Sequence, residues 1–322
     1  MKKLATRSLL FTVSFCALAP LAVAQDNYPS KRITVLVAAG AGGFADSIAR
    51  IVSERLSVAL GQPIVIENRA GAGGNTGARA VARSEPDGYT ILVSTTAMAI
   101  NEALYASPGY ATKEITPVAI VGSSPEVVAV HPDNAAKTLA QFLKPADGLP
   151  VQYGTAGNGS GSHIAAEYLF RIVAKGQSQH VPFAGGAPAI QNVLSNQLNS
   201  VVVTLPAITQ HLQGGKVRGL AVMSPKRHPA IPDVPTLAEA GFPDYYASSW
   251  VGFFVPSATP AGINAKLNDE INKVVSNADV RARLEKLGLE VAANALPATN
   301  SFFQEEIKFW TTRVNAIGLK IQ

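Results

Sequence analysis

Val35-Leu-Val-Ala-Ala-Gly-Ala-Gly-Gly-Phe-Ala-Asp46-Ser-Ile-Ala-Arg50 passes from one structural period to another across three glycines. Ile33 to Ala39 is an apolar, β-branched run and predicts a buried strand. Gly40, Gly42 and Gly43 interrupt it, and from Phe44 the period changes: Ile48, Val52, Leu56 and Ala59 recur at helical spacing. The unit is therefore strand, glycine turn, helix. A helix begins with backbone N–H groups that lack partners and with the positive end of its dipole. Glycines let a ligand approach those donors, so the turn predicts an anion site for phosphate or carboxylate. Three readings are open locally. Gly40-Ala-Gly-Gly-Phe-Ala45 fits the dinucleotide fingerprint, with Glu67 at the end of the next apolar run where a ribose-binding acid belongs. It also fits a plain anion site, or a tight turn that only caps a helix.

The chain around this turn narrows the choice. Met1 to Ala24 reads as a leader: Lys2, Lys3 and Arg7, then an apolar segment from Leu9 to Leu21, then Ala22-Val-Ala24. Export with cleavage after Ala24 is expected. Cys16 lies in that segment behind the bulky Phe15, which argues against a lipid anchor, and no other span of membrane length follows. Cys16 is the one cysteine of the chain, so the mature protein has neither disulfides nor thiol ligands. The net charge of +5 falls to +2 once the three leader cations are gone, and no basic cluster remains to suggest nucleic acid. Close to 300 residues rich in Ala, Gly and Val suit two α/β units with buried parallel strands.

Further strands are expected at 63–67, 89–94, 151–154, 179–182, 199–204 and 217–223. Helices are expected over 76–84, 163–173, 187–198 and 208–213. Thr116–Val121 and Glu126–His131 read as two separate apolar runs split by Gly122-Ser-Ser-Pro125. In such a doubly wound arrangement ligand loops gather at the carboxyl ends of the strands. Those ends are the 38–46 turn, the 68–75 turn and Ser94-Thr-Thr-Ala97, where Thr95 either bonds a ligand or caps a helix. A second polar glycine loop, Thr155-Ala-Gly-Asn-Gly-Ser-Gly-Ser162, repeats the design with hydroxyls from Thr155, Ser160 and Ser162 beside His163. At the C-terminus Phe303, Ile307, Trp310, Val314 and Ile317 form an apolar helical face for docking.

Recognisable catalytic machinery is missing. No G-x-S-x-G, H-E-x-x-H or Walker motif occurs. His163 and Glu167, one helical turn apart, admit a structural pair, a ligand-facing histidine or a thin metal site. No cofactor and no metal is expected, and the chain does not read as an enzyme.

Several blocks in one order resemble the Bug (TctC-like) family of extracytoplasmic substrate-binding proteins of tripartite tricarboxylate transporters. They are Ala41-Gly-Gly-x-x-Asp46-x-x-Ala-Arg50, Glu67-Asn-Arg-x-Gly-Ala-Gly-Gly-Asn75, Pro86-Asp-Gly-Tyr-Thr90, Val181-Pro-Phe-x-Gly-x-Ala-Pro188, Lys216-Val-Arg-Gly-Leu-Ala-Val222 and Pro232-Asp-Val-Pro-Thr-Leu-Ala-Glu-Ala-Gly241. The resemblance implies a type II periplasmic-binding-protein fold, two α/β lobes joined by two crossing segments with a ligand cleft between them. The lobes would be 25–127 with 250–322, and 128–249, with crossings near Glu126–Pro132 and Tyr245–Pro256. The resemblance implies that the first turn holds a carboxylate, partly through ordered water, and that Glu67 opens the E-N-R block instead of binding ribose. Taken with the strand-end turns and the second glycine loop, the expected ligand set is Ala39, Gly40, Ala41, Gly42, Gly43, Asp46, Thr95, Thr155, Ser160, Ser162, His163, Phe183 and Ala187. The implied partners are a small organic acid and the membrane subunits of such a transporter, with a sensor as the other destination; a monomer is expected.

Two departures from the family pattern bear on the ligand. Ala39 and Gly40 stand where the family often has an aromatic–proline pair, which leaves room. Asn199 and Val203 stand where the family commonly has acids, so nothing there recruits an ammonium group. A dicarboxylate or an aromatic acid without an amine is therefore favoured.

Overall fold

The computed structural model describes residues 28–144 and 148–322. The expected leader, 1–24, lies outside the described residues. Among the described residues no helix is long and apolar enough to cross a membrane.

The first lobe opens as βαβ units. Strand β1 (Ile33–Val37) leads through the glycine turn into helix α1 (Phe44–Leu60), β2 (Ile64–Asn68), α2 (Asn75–Ala82), β3 (Thr90–Thr95) and α3 (Ala97–Leu104). β1 pairs in parallel with β2 on one side and β3 on the other. Helices cover both faces, so four of its five side chains are buried; that is why the run reads as continuously apolar rather than alternating.

β4 (Ile115–Val130) is one 16-residue strand where the sequence suggests two runs and a loop. The difference has a local cause. Gly122 adopts φ +154°, and a side chain there would meet the carbonyl of Glu290, Cβ to O 2.6 Å. Register shifts at Pro117/Ala119 and Ile120/Gly122 absorb the residues that look like a turn.

The second lobe follows: α4 (Leu139–Phe142), β5 (Val151–Thr155), α5 (Gly161–Glu167), β6 (Ser178–Pro182), α6 (Gly186–Leu194), β7 (Ser200–Thr204), α7 (Leu205–Gln213) and β8 (Arg218–Val222). The chain then returns through β9 (Ser248–Pro256) to α8 (Ala261–Ser276), α9 (Ala278–Lys286), β10 (Glu290–Val291) and α10 (Leu296–Ile317). The strand order β2-β1-β3-β9-β4-β7-β5-β6 runs through both lobes, with β8 and β10 flanking β4.

β4 is shared. From Ile115 to Pro125 it pairs antiparallel with β9, and from Glu126 to Val130 with β7 and β8. The hand-over falls where Pro125 has no N–H to give. There the N–H of Glu126 donates to Ala247 O (3.2 Å), and the N–H of Ala247 to Met223 O (3.0 Å). These are the two crossing segments of a periplasmic-binding-protein fold.

The apolar face of α10 docks as its spacing predicts. Phe303, Trp310, Val314 and Ile317 are buried and Ile307 is half-buried. Trp250 of β9 meets Phe303 edge-on at 6.0 Å, and both indole N–H groups, of Trp250 and Trp310, donate to Glu306 (2.7 and 2.8 Å). At about 1.5–3 kcal/mol per buried large apolar side chain, this face alone holds α10 on the sheet.

Candidate functional site

A cleft of about 920 Å³ lies between the lobes. Its first wall is the turn after β1. The N–H of Gly43 closes it onto Gly40 O (3.3 Å), and Gly42 takes φ +75°, the conformation a turn demands at its third residue. Gly43 precedes α1 with no side-chain cap, and Ser47 N–H makes the first helical bond, to Gly43 O (2.9 Å). The N–H groups of Phe44, Ala45 and Asp46 therefore have no partner within the helix.

Asp46 faces away from the cleft and is 2% exposed. Its carboxylate accepts from the Gly42 N–H (2.8 Å), from Arg50 Nε (2.9 Å) and Nη2 (3.0 Å), and from Asn68 Nδ2 (2.8 Å). Asn68 Nδ2 also donates to Ala39 O (3.1 Å). Asp46 and Asn68 thus brace the turn from behind. Burial works against the charge on Asp46, but the hydrogen bonds from Arg50, Gly42 and Asn68 outweigh it and hold the carboxyl below its ordinary range.

The second wall is 70–74, at the carboxyl end of β2. Gly71, Gly73 and Gly74 all have positive φ, and α2 starts from Gly74 without a side-chain cap. Asn101 Nδ2 pins this turn by donating to Gly73 O (2.9 Å).

In the second lobe, Ser160 and Ser162 line the cleft, whereas Thr155 and His163 are buried behind it. Thr155 Oγ1 lies 2.7 Å from His180 Nε2 and accepts from the Gly157 N–H (3.2 Å). Ser160 Oγ caps α5 by accepting from the His163 N–H (3.2 Å), and it donates to Gly157 O (2.7 Å). His163 Nδ1 accepts from the Gly159 N–H (3.3 Å), and its ring stacks on His180 at 3.9 Å. Glu167 bonds Tyr153 and Arg171 rather than His163, so the helical pair suggested by their spacing does not form. Among the described residues no group of three or more His, Cys, Asp or Glu side chains is placed to hold a metal.

Burial and the neighbouring His180 push His163 down to about 3, and burial pushes His180 down to about 4. Both rings are neutral in the fold but take up protons near pH 6.5 once unfolded. Their stabilisation is complete above about pH 6.5 and is lost as pH falls toward about 4 and then 3. Melting temperature should drop across that window, and His180→Phe, which keeps the stack without the titration, should flatten the drop. A wild-type melting temperature unchanged from about pH 6.5 to about pH 4 would contradict this.

Of the other residues expected at the site, Ala39, Gly40, Ala41, Gly42, Gly43, Thr95, Phe183 and Ala187 line the cleft. Glu67 does not; it is exposed and pairs with Arg69 (3.2 Å). Ser94 and Asn158 line it from within segments that the sequence singles out, while Tyr105, Thr204 and Ser249 line it from outside them. The 70–74 turn carried a signal in its glycines, whereas Ser249 carried none.

No described residue lining the cleft is charged. Helix starts take the place of charge: α1, α6 and α7 begin on it without a side-chain cap, whereas the first N–H groups of α2 are taken by the carbonyls of Ala72 and Gly71. Gly185, at φ +119°, precedes α6, and Pro206 sits in the first turn of α7. Backbone N–H groups and aligned dipoles aimed at one space favour an anion there.

The sequence pattern of the tripartite tricarboxylate transporter family receptor (TctC) matches residues 48–319. The chain belongs to this family. A TctC relative, the UPF0065 protein in the tcbD–tcbE intergenic region of Pseudomonas sp. (strain P51), is 34% identical over 88% of this chain and 86% of its own. The protein BugT of Bordetella pertussis is 32% identical over 98% and 99%. Among solved structures, an R. palustris protein with adipate superposes with a TM-score of 0.85 at 30% identity, covering 91% of this chain and 99% of its own. MatC from Rhodopseudomonas palustris with bound malate gives 0.83 at 33%, covering 89% and 100%. The periplasmic binding protein BugD gives 0.84 at 28%, covering 92% and 100%. The TctC fold therefore accounts for the two lobes, and the dinucleotide reading of the first turn has no support in it.

Proposed function

We propose that this chain is a periplasmic receptor that captures a small organic acid in its cleft and passes it to the membrane subunits of a tripartite tricarboxylate-type transporter. The observation that carries this reading is a cleft lined without any charged side chain yet faced by three uncapped helix starts. That arrangement suits carboxylate groups, which backbone N–H donors bind without a counter-ion. The adipate and malate of the two R. palustris structures support a dicarboxylate. Ala39 and Gly40 leave the space beside the first turn open, and Val203 presents an apolar wall where an amine would need an acid. Residues 25–127 with 250–322 act as one jaw and 128–249 as the other, and the crossings carry the closing motion. The protein performs no chemistry on what it holds.

Thermal shift with adipate, malate, benzoate, aspartate and NAD tests the reading. A ligand at a hundredfold excess over its Kd stabilises by about 2.7 kcal/mol, which for a chain of this size raises the midpoint by about 5–10 °C. We expect that from an amine-free acid. A shift of this size with NAD, and none with any acid, would overturn it.

A further inference from the structure

Glu126 is wholly buried at the point where β4 leaves the first lobe for the second. Its Oε1 lies 2.6 Å from Ser249 Oγ, and its Oε2 has no hydrogen-bond partner among the described residues. Ser249 lines the cleft, as do Thr204, opposite Glu126 on β7, and Gly161, which lies over the pair. A side chain on Gly161 would collide with Ser249 Oγ, Cβ to O 2.2 Å, so the packing keeps serine and glutamate together. A carboxylate so placed would be a buried charge with one hydrogen bond, which is costly; a carboxylic acid is not.

We propose that Glu126 holds a proton at the lobe crossing and thereby sets Ser249 as a hydrogen-bond donor to an anion in the cleft. Glu126 is then a positioning residue and Ser249 a ligand-binding one. The proposal rests on the carboxylate reading of the cleft. The acid O–H on Oε1 donates to Ser249 Oγ, and the serine's own proton is left to point into the cleft. If Glu126 ionises, the serine must donate to it instead, and the cleft then faces serine lone pairs backed by a negative charge. One proton thus decides whether this spot attracts a carboxylate or repels it.

The surroundings favour the protonated form. Burial pushes Glu126 up to about 8, against the lowering effect of the Ser249 hydrogen bond. From the packed elements, Ser249, Thr204, Gly161, Ala247 and Met223 bring no charge. Tyr245 is the ionisable group whose charge couples to Glu126; its hydroxyl donates to Ala165 O (3.0 Å), and burial raises it far out of the working range. Arg313 lies by the Tyr245 ring, 5.8 Å from its centroid, and acts on the Tyr245 hydroxyl.

Two measurements test this. Infrared difference spectra of the ligand-free protein, wild type minus Glu126→Gln, should show a carboxylic-acid band at neutral pH that disappears on titration through about pH 8. Calorimetry with adipate should show affinity at least about tenfold weaker near pH 9.5 than near pH 6.5 in the wild type, and no such slope in Glu126→Gln. Ser249→Ala should fold, bind adipate at least about tenfold less tightly near pH 6.5, and lose the slope as well. A wild-type band absent at neutral pH, a flat wild-type profile, or a slope that survives in Glu126→Gln overturns the proposal. If adipate binds at neither pH, the adipate reading of the cleft fails separately, and the infrared titration alone decides where the proton lies.

Discussion

Asp46→Ala should lose about 2–4 kcal/mol of stability and, with it, most of the affinity for a carboxylate. The side chain does not reach the cleft, so both losses have one cause. Its removal leaves the Gly42 N–H and the Asn68 amide without their acceptor and frees Arg50 from its two-pronged grip. Gly42 then loses the bond that braces its left-handed conformation from behind, leaving only the long Gly43–Gly40 bond to close the turn, and the donors at the start of α1 lose their aim. Because the folded carboxyl titrates below its ordinary value, its contribution is present above about pH 4 and is lost as pH falls through the depressed value. Urea unfolding at neutral pH and calorimetry with adipate measure the two effects. A large fall in affinity at unchanged stability would mean that Asp46 touches the ligand directly.

Gly43→Val should do the reverse: affinity falls by about a hundredfold while stability falls by only about 1 kcal/mol. Gly43 has φ −76°, which any residue adopts, so the substitution brings no backbone strain. A Cβ there sits 3.2 Å from Gly40 O, so that carbonyl must give by a few tenths of an ångström, and the branched remainder is expected to fill the mouth of the turn, where a carboxylate would come to meet the N–H groups. The modest stability loss comes from a β-branched residue at the position before the helix. Unchanged affinity in a folded Gly43→Val protein would remove this turn from the site.

These two residues show what was legible in the chain and what was not. Strand, glycine turn and helix were plain from the change of period between Ala39 and Phe44, because parallel strands covered on both faces leave continuous apolar runs. The first turn and the second-lobe loop could be singled out because glycines and hydroxyls at strand ends are local signals. Which side chains face inward was another matter. Asp46 and Thr155 lie within cleft-lining segments yet bond their own backbone or a neighbour, and nothing in local spacing separates a brace from a contact. Ser249 and Glu126 are 123 residues apart and meet only because β4 and β9 cross between the lobes together. The long β4 was obscured for a similar reason: Gly122 and Pro125 signal a turn, but pairing with β9 on one side and β10 on the other overrides them.

Binding of an organic dianion in this cleft by helix starts, with no charged side chain, is the reading proposed. It is tested most directly by calorimetry of the wild-type protein at neutral pH with adipate and malate on one side and aspartate and glutamate on the other. Saturable 1:1 binding of at least one amine-free acid is expected, with both amino acids at least about a hundredfold weaker. Tight binding of aspartate or glutamate, with the amine-free acids silent, would contradict it.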